Sequence, residues 1–290
     1  MPGFLLCADP LRPSRLDPQF AEEATVVREM GAATALVDHD ALLAGDTAGA
    51  VARVPHGSGP YWYRGWMIPA PRYAELDRAL AERGAPLLTD GAAYRTAHEL
   101  PGWYATFREL TPRSVWYPLS GTAPTAVPRD AAFWSALARP LGGGPGIVKD
   151  FVKSRKHEWH EACFVTELSD STALSGVVGR MVDLQGDHLA GGVVVRAYER
   201  FAPGGEARVW WVDGAPVLVT AHPDTPDDRP VPDLGPVGEA VRRLGCRLVT
   251  TDLALREDGV WRVIEVGDGQ VSGLPSGADP RPLLRALPGA

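Results

Sequence analysis

The stretch GGGPGIVKDFVKSRKHEW (142–159) holds every lysine of this 290-residue chain: Lys149, Lys153 and Lys156. The remaining 26 of its 29 long cationic side chains are arginine, and the chain also carries 32 Gly and 27 Pro, a composition that disfavours lysine codons. Lysine is a compact, strongly hydrated point charge on a flexible stem, well matched to phosphate oxygens. The stretch reads as a glycine-rich turn, a strand and a polar loop, so the lysines are a candidate phosphate site. The bland alternative is a chance cluster.

Working outward, 290 residues favour two compact units, and 45% hydrophobic with 22% charged residues describe an ordinary soluble globular protein. A formal charge of −7 leaves no basic excess for a nucleic-acid backbone, which argues against a nucleic-acid partner. No run of 18 apolar residues exists, so the reading is of a protein without a membrane span. The opening MPGFLLCADPL lacks a basic n-region and predicts no signal peptide. Cys7, Cys163 and Cys246 are few, odd in number and widely spaced, which predicts buried free thiols and a cytoplasmic location.

Before the lysine stretch, GFLLCA (3–8) predicts a buried strand, and Asp17-Pro18 an N-cap opening a helix to about Met30. Strands are predicted at 32–38, near 50–54 (AVARV) and at 85–90 (APLLTD), with a helix over 71–84 ending on Gly84. This alternation predicts a small α/β unit. Residues 101–130 read as a connector. After it come helices at 129–139, 170–184 and 234–244, and strand-like runs at 191–201, 206–214, 215–222, 246–257 and 259–269. Asp213-Gly214 and Asp258-Gly259 mark two hairpins. The second half is therefore α+β, with mostly antiparallel sheet.

The last hairpin carries a second chemical signal. Asp252 and Glu265 are acidic residues inside apolar strands, where an unpaired carboxylate is costly. On paired strands the two can share a cation, and oxygen ligands with open positions suit Mg²⁺. Asp268 and Gln270 stand just beyond as further candidates; the alternative has Asp252 and Glu265 as edge-strand residues facing water. Arg196 and Arg208 are likewise embedded in strands that read as core. Each wants a phosphate or a carboxylate, and salt bridges to Glu199 or Glu206 are the structural alternative.

The ordered set (glycine-rich turn and Lys strand, hinge strand, Arg strand with a DG turn, then D…E on a terminal hairpin) resembles the ATP-grasp superfamily over about residues 112–278. No Walker-type G-x-x-x-x-G-K-[ST] is present. The resemblance implies an α/β N-terminal domain (1–110) followed by an α+β ATP-grasp fold (111–290), with a central lobe over 111–190 and a C-terminal lobe over 191–290. It implies ATP and Mg²⁺ as cofactors. Lys149 and Lys153 are then phosphate ligands, while Lys156 is a solvated loop residue. Arg196 joins the nucleotide site, Ala197 and Tyr198 offer backbone to adenine, and Glu206 holds the ribose. Arg208 neutralises the γ-phosphate and, with Lys153, serves catalysis. Asp252 and Glu265 match the Mg²⁺ ligands. The family's usual third ligand, an Asn two residues after the Glu, is Gly267 here, and the chain contains no Asn; Asp268 or Gln270 takes its place in this reading.

Arg64, inside YWYRGWMIP (61–69), is either a substrate-carboxylate ligand or an arginine packed over aromatic rings. His157 and His160 lack a third zinc ligand nearby and read as loop histidines. The activity implied is ADP-forming, carboxylate–amine ligation through an acyl-phosphate. The partners are a small-molecule carboxylate and an amine, such as an amino acid or a short peptide. A small-molecule kinase and a non-catalytic nucleotide-binding module are the alternatives. Family members are often dimers, so a homodimer is implied.

Overall fold

The computed structural model describes residues 1–119, 124–223, 225, 227–228 and 230–287. The apolar run at the N-terminus forms β1 (Gly3–Asp9), which turns back into β2 (Arg12–Leu16). Asp17 caps as predicted, accepting from Gln19 N at 2.9 Å, and a short 3₁₀ turn at Pro18–Phe20 leads into α1 (Ala21–Glu29). β3 (Thr34–Val37) runs parallel to β1. Next come α2 (His39–Leu43) and α3 (Thr47–Ala50), capped by Asp38 and Asp46.

Here the structure departs from the expected strand near 50–54. The Asp46 side chain accepts from Gly49 N at 2.8 Å and starts a helical turn through Ala50 instead. The third parallel strand is β4 (Tyr61–Arg64), paired with β1. Its bulky aromatics form a buried strand rather than a surface motif. α4 (Ala70–Glu82) ends with Gly84 at φ +70°, as expected. The expected strand over 85–90 shrinks to one bridge, Tyr61 to Leu87, before Asp90 caps the next helix.

The expected connector over 101–130 carries regular structure, and its residues 120–123 lie outside those described. It follows α5 (Gly91–His98) and contains most of α6 (Leu100–Phe107) and all of β5 (Ser114–Pro118). Trp103, Tyr104 and Phe107 give α6 an apolar face, and that face is buried. α7 (Ala131–Ala138), β6 (Gly146–Asp150), β7 (Phe164–Val165), α8 (Ser171–Gln185) and β8 (Gly192–Ala197) follow. These strands form an antiparallel sheet in the order β5-β8-β6-β7. α7 and α8 cover one face, burying Trp134, Val178 and Met181 against Val148, Val193 and Val195.

The third sheet consists of β9 (Phe201–Val212), β10 (Ala215–Ala221), β11 (Leu248–Arg256) and β12 (Trp261–Asp268), antiparallel in the order β10-β9-β11-β12. Asp213 (φ 46°) and Gly214 (φ 79°) make the tight turn that their dipeptide signals. α9 (Gly235–Leu244) packs Val237, Ala240 and Val241 against Trp211, Val249 and Val266. α10 (Arg281–Ala286) returns to the first sheet: Leu283 and Leu284 share a core with Phe4, Trp62, Trp210 and Leu248. The first and third sheets thus share apolar interior, and Trp62 Nε1 donates to Leu287 O at 2.8 Å. The expected fold class holds: a small parallel α/β layer followed by mostly antiparallel sheets with helices packed on them. No described helix is long and apolar enough to cross a membrane. Cys7, Cys163 and Cys246 are free and buried, and burial pushes each thiol up to about 11.

Candidate active site

Alternation along β6 turns Val148 and Asp150 toward the helices and leaves Lys149 on the other face, beside Val194 of β8. Asp150 is buried and shapes the chain beyond it. Its Oδ1 accepts from Val152 N at 2.7 Å and from Lys153 N, and its Oδ2 accepts from Gln185 Nε2 at 2.7 Å. The tight turn brings Val152 O back over the strand, where Lys149 Nζ donates to it at 3.1 Å. The same amine reaches Glu265 Oε1, in the third sheet, at 3.3 Å.

Across the third sheet, the register aligns Thr220, Arg208, Asp252 and Glu265 in one row over four strands. Arg208 forks onto Asp252, with Nε to Oδ1 at 2.7 Å and Nη2 to Oδ2 at 2.8 Å. Its Nη1 donates to Gly273 O at 3.3 Å. Burial pushes the Asp252 carboxyl up, but the Arg208 fork and then His222 outweigh it and hold the group at about 2. Asp252 is thus an anion at any physiological pH.

Sequence reasoning misses His222. It lies 3.5 Å from Asp252 Oδ2 and 3.7 Å from Glu206 Oε2. A signal exists: on a strand, residue 222 shares the face of Thr220, and so belongs beside the arginine row. Burial raises the Glu206 carboxyl pKa, and His222 and Lys156 work against that rise. Lys156, expected as a solvated loop residue, is exposed on a 3₁₀ turn, yet its charge reaches Glu206. Lys153 is exposed, and with Lys149 it acts on His98 of α5. Burial first, then those two cations, lower the His98 imidazole to about 4, so it is neutral.

Ala197 ends β8 and Tyr198 follows it, before the chain crosses into β9. Their N–H groups donate to Arg113 O at 2.8 Å and Pro145 O at 3.0 Å. The Tyr198 ring meets Phe164 edge-on at 5.3 Å, and Phe164 stacks on Trp159 at 5.2 Å. Arg196 shares the face of Lys149 but is buried, donating to Ser114 Oγ at 3.0 Å and Ile264 O at 2.6 Å. Its Nη2 is buried without a partner, and burial lowers its pKa to about 10.

Two expected site residues lie elsewhere. Arg64 is 2% exposed, not at a cleft mouth. It pairs with Glu23 through two bonds, at 2.8 and 2.6 Å, and donates to the carbonyls of Gly269, Gln270 and Ser272. All three guanidinium nitrogens are engaged in tying β4 to α1 and to the segment after β12, which leaves no free edge for a substrate carboxylate. Asp268 is the second correction. It is an odd number of residues from Glu265 on β12, so it points to the opposite face, where it is fully buried. Its Oδ1 accepts from Gln270 N and Nε2, and burial raises its carboxyl to about 7. Gln270 bridges inward to Tyr73 and Tyr63. Neither joins Asp252 and Glu265.

His157 and His160 fall on a 3₁₀ turn followed by a π-helical turn, and no group of three or more metal-binding side chains occurs among the described residues. Asp252 and Glu265 therefore stand as a two-carboxylate set. Such a set, flanked by Lys149 and Arg208, fits a divalent cation that completes its shell with phosphate oxygens and water.

Residues 140–287 match the model of an ATP-grasp domain, the third family of its clade. The chain belongs to this ATP-grasp family. No curated protein sequence matches this ATP-grasp chain. Among solved structures, D-cycloserine synthetase DcsG is 17% identical with a TM-score of 0.60, the alignment covering 98% of both chains. The RimK domain ATP-grasp protein of Sphaerobacter thermophilus is 15% identical with a TM-score of 0.56, over 93% of this chain and 92% of that one. The ATP-grasp ligase PsnB, complexed with its minimal precursor, Mg and ADP, is 14% identical with a TM-score of 0.54, over 98% and 96%. At these identities the likeness is one of ATP-grasp fold.

Proposed function

We propose that this ATP-grasp protein is an ATP- and Mg²⁺-dependent, ADP-forming ligase that couples a carboxylate to an amine. The observation that carries the reading is the Lys149–Glu265 contact of 3.3 Å, with Asp252 and Arg208 next in the same row. It sets phosphate-type cations from one sheet against cation-binding carboxylates from the other. The two sheets are the proposed lobes (111–190 and 191–290), and residues 1–110 with the loops around 153–162 and 267–277 line the substrate side.

Asp252 and Glu265 are the proposed Mg²⁺ ligands. Lys149 and Lys153 bind phosphate oxygens, Arg208 takes the γ-phosphate, and the unpartnered Nη2 of Arg196 supplies a further buried donor. Ala197 and Tyr198 border the adenine, with Glu206 on the ribose. When bound, ATP and Mg²⁺ supply phosphoryl transfer to the substrate carboxylate, giving ADP and an acyl-phosphate that the amine converts to an amide and phosphate. The chain's own contribution is charge neutralisation and alignment, the main terms in this kind of transfer. Arg208 releases Asp252 to the cation and turns its planar fork to phosphate oxygens.

DcsG is named a synthetase, and PsnB was solved with a peptide precursor. For this chain, a small amino-acid-like or peptide substrate is in keeping with both. Buried free thiols suit a cytoplasmic setting, and a homodimer is the proposed assembly. The test is an ADP-release screen over amino acids and small carboxylates, with hydroxylamine as the trapping amine. A hydroxamate supports the ligase. A stable phosphorylated product assigns a kinase instead, and nucleotide binding without turnover assigns a non-catalytic module.

A further inference from the structure

One corner of the carboxylate face lacks a side chain. Gly267 follows Glu265 by two residues on β12, and Thr250 stands opposite Gly267 as Asp252 stands opposite Glu265. Residues two apart on a strand share a face, so positions 250, 252, 265 and 267 bound one patch. Gly267 does not adopt the left-handed backbone that would require glycine. Two hydroxyls crowd the space a side chain would take there: a Cβ would meet Thr250 Oγ1 at 3.0 Å and Ser272 Oγ at 3.4 Å, so they would have to give way by a few tenths of an ångström. Those two hydroxyls touch each other at 2.8 Å. Ser272 Oγ also donates to Asp268 O at 3.0 Å, and Thr250 Oγ1 lies 3.4 Å from Gly267 O. The residue after Ser272, Gly273, accepts from Arg208 Nη1 at 3.3 Å, which ties this segment to the Arg208–Asp252 fork.

We propose that the Thr250 and Ser272 hydroxyls are neutral oxygen donors for the divalent cation held by Asp252 and Glu265. The proposal rests on the ATP- and Mg²⁺-dependent reading above. Magnesium takes oxygen ligands in a near-octahedral shell, and a Ser or Thr hydroxyl serves it in other nucleotide sites. A hydroxyl has one proton to donate and two lone pairs to offer. With Ser272 donating to Asp268 O and Thr250 donating to Ser272, the lone pairs of Thr250 Oγ1 stay available to a cation. Asp268, the nearest further carboxylate in sequence, is turned to the opposite face and supplies none.

The test counts Mn²⁺ bound in the presence of ADP, read from the loss of the free-ion EPR signal, without recourse to turnover. Thr250→Val/Ser272→Ala is expected to bind Mn²⁺ about tenfold more weakly, with metal-free ADP binding and melting temperature unchanged. Adding Gly267→Asn to Thr250→Ala/Ser272→Ala supplies an amide oxygen in the cleared space and is expected to recover most of that affinity. A loss that Gly267→Asn leaves uncorrected overturns the proposal, because it assigns the loss to packing. Wild-type Mn²⁺ affinity in the hydroxyl-free variant, with affinity lost in Glu265→Gln, overturns the hydroxyl donors and leaves the nucleotide reading standing. Wild-type affinity in Glu265→Gln overturns both.

Discussion

Lys149 and Glu265 are 116 residues apart in sequence and belong to different sheets, yet the lysine amine stands 3.3 Å from the carboxylate. Lys149 is almost fully enclosed, whereas the Glu265 side chain is 39% exposed, so the pair is open to solvent on the glutamate side only. On the proposed reading, a nucleotide with its cation would replace that contact by phosphate on the lysine and metal on the glutamate.

From this arrangement, Lys149→Met and Glu265→Gln are each expected to reduce substrate-dependent ADP release by at least about 10²-fold. Melting curves check that both variants remain folded. Wild-type ADP release in either variant removes that residue from the site.

Arg208→Lys keeps the charge but loses the fork that meets both oxygens of Asp252. A single ammonium cannot span two oxygens in the same plane. The expected result is a fall in kcat of about 10²-fold with a smaller change in KM for ATP. A change confined to KM reassigns Arg208 to ground-state binding.

Arg64 gives a contrasting outcome, because its partners are all internal. Arg64→Met leaves the buried Glu23 carboxylate without its partner, which costs about 3–5 kcal/mol. Urea denaturation measures this loss. Where the variant is folded, KM for the carboxylate substrate is expected to stay at the wild-type value, and a selective rise in that KM restores Arg64 to the substrate site.

Asp268 makes a prediction about pH. Its folded pKa is raised to about 7 from an ordinary 3.8, so the folded chain holds this proton more tightly than the unfolded chain does. The stability it contributes is complete below about pH 4 and is lost as the pH rises through 7, an effect of about 4 kcal/mol. Asp268→Asn removes that limb, so the variant's stability relative to wild type is expected to rise between pH 5 and 8. Parallel curves for the two proteins place the proton elsewhere.

Much of the second half was legible because its signals are local. The DG dipeptides mark their turns by demanding left-handed backbone, and Asp213 and Gly214 adopt it. The helices expected over 129–139 and 170–184 form where the Asp130 and Asp170 carboxylates satisfy open N–H groups of the first turn. The first half was harder to read. AVARV has strand composition, but the cap at Asp46 acts first and winds the chain into a helical turn. YWYR is a strand only because β1 lies alongside to pair with it. The α6 segment looked like a connector because Pro and aromatic residues hid its apolar face until a core surrounded it.

The sequence by itself determined which residues are candidates for the proposed chemistry and how they order along the chain: the lysine strand, the Arg208 strand, then Asp252 and Glu265. Those are properties of residue type and two-residue alternation, and both can be read without a partner. Only the tertiary structure decided which charges face which. It joined Lys149 to Glu265 and forked Arg208 onto Asp252. It also brought His222 into the row, buried Arg64 against Glu23, and turned Asp268 to the opposite face. Pairing of charges depends on strand register and on which sheets pack together, and those relations connect residues far apart in the chain.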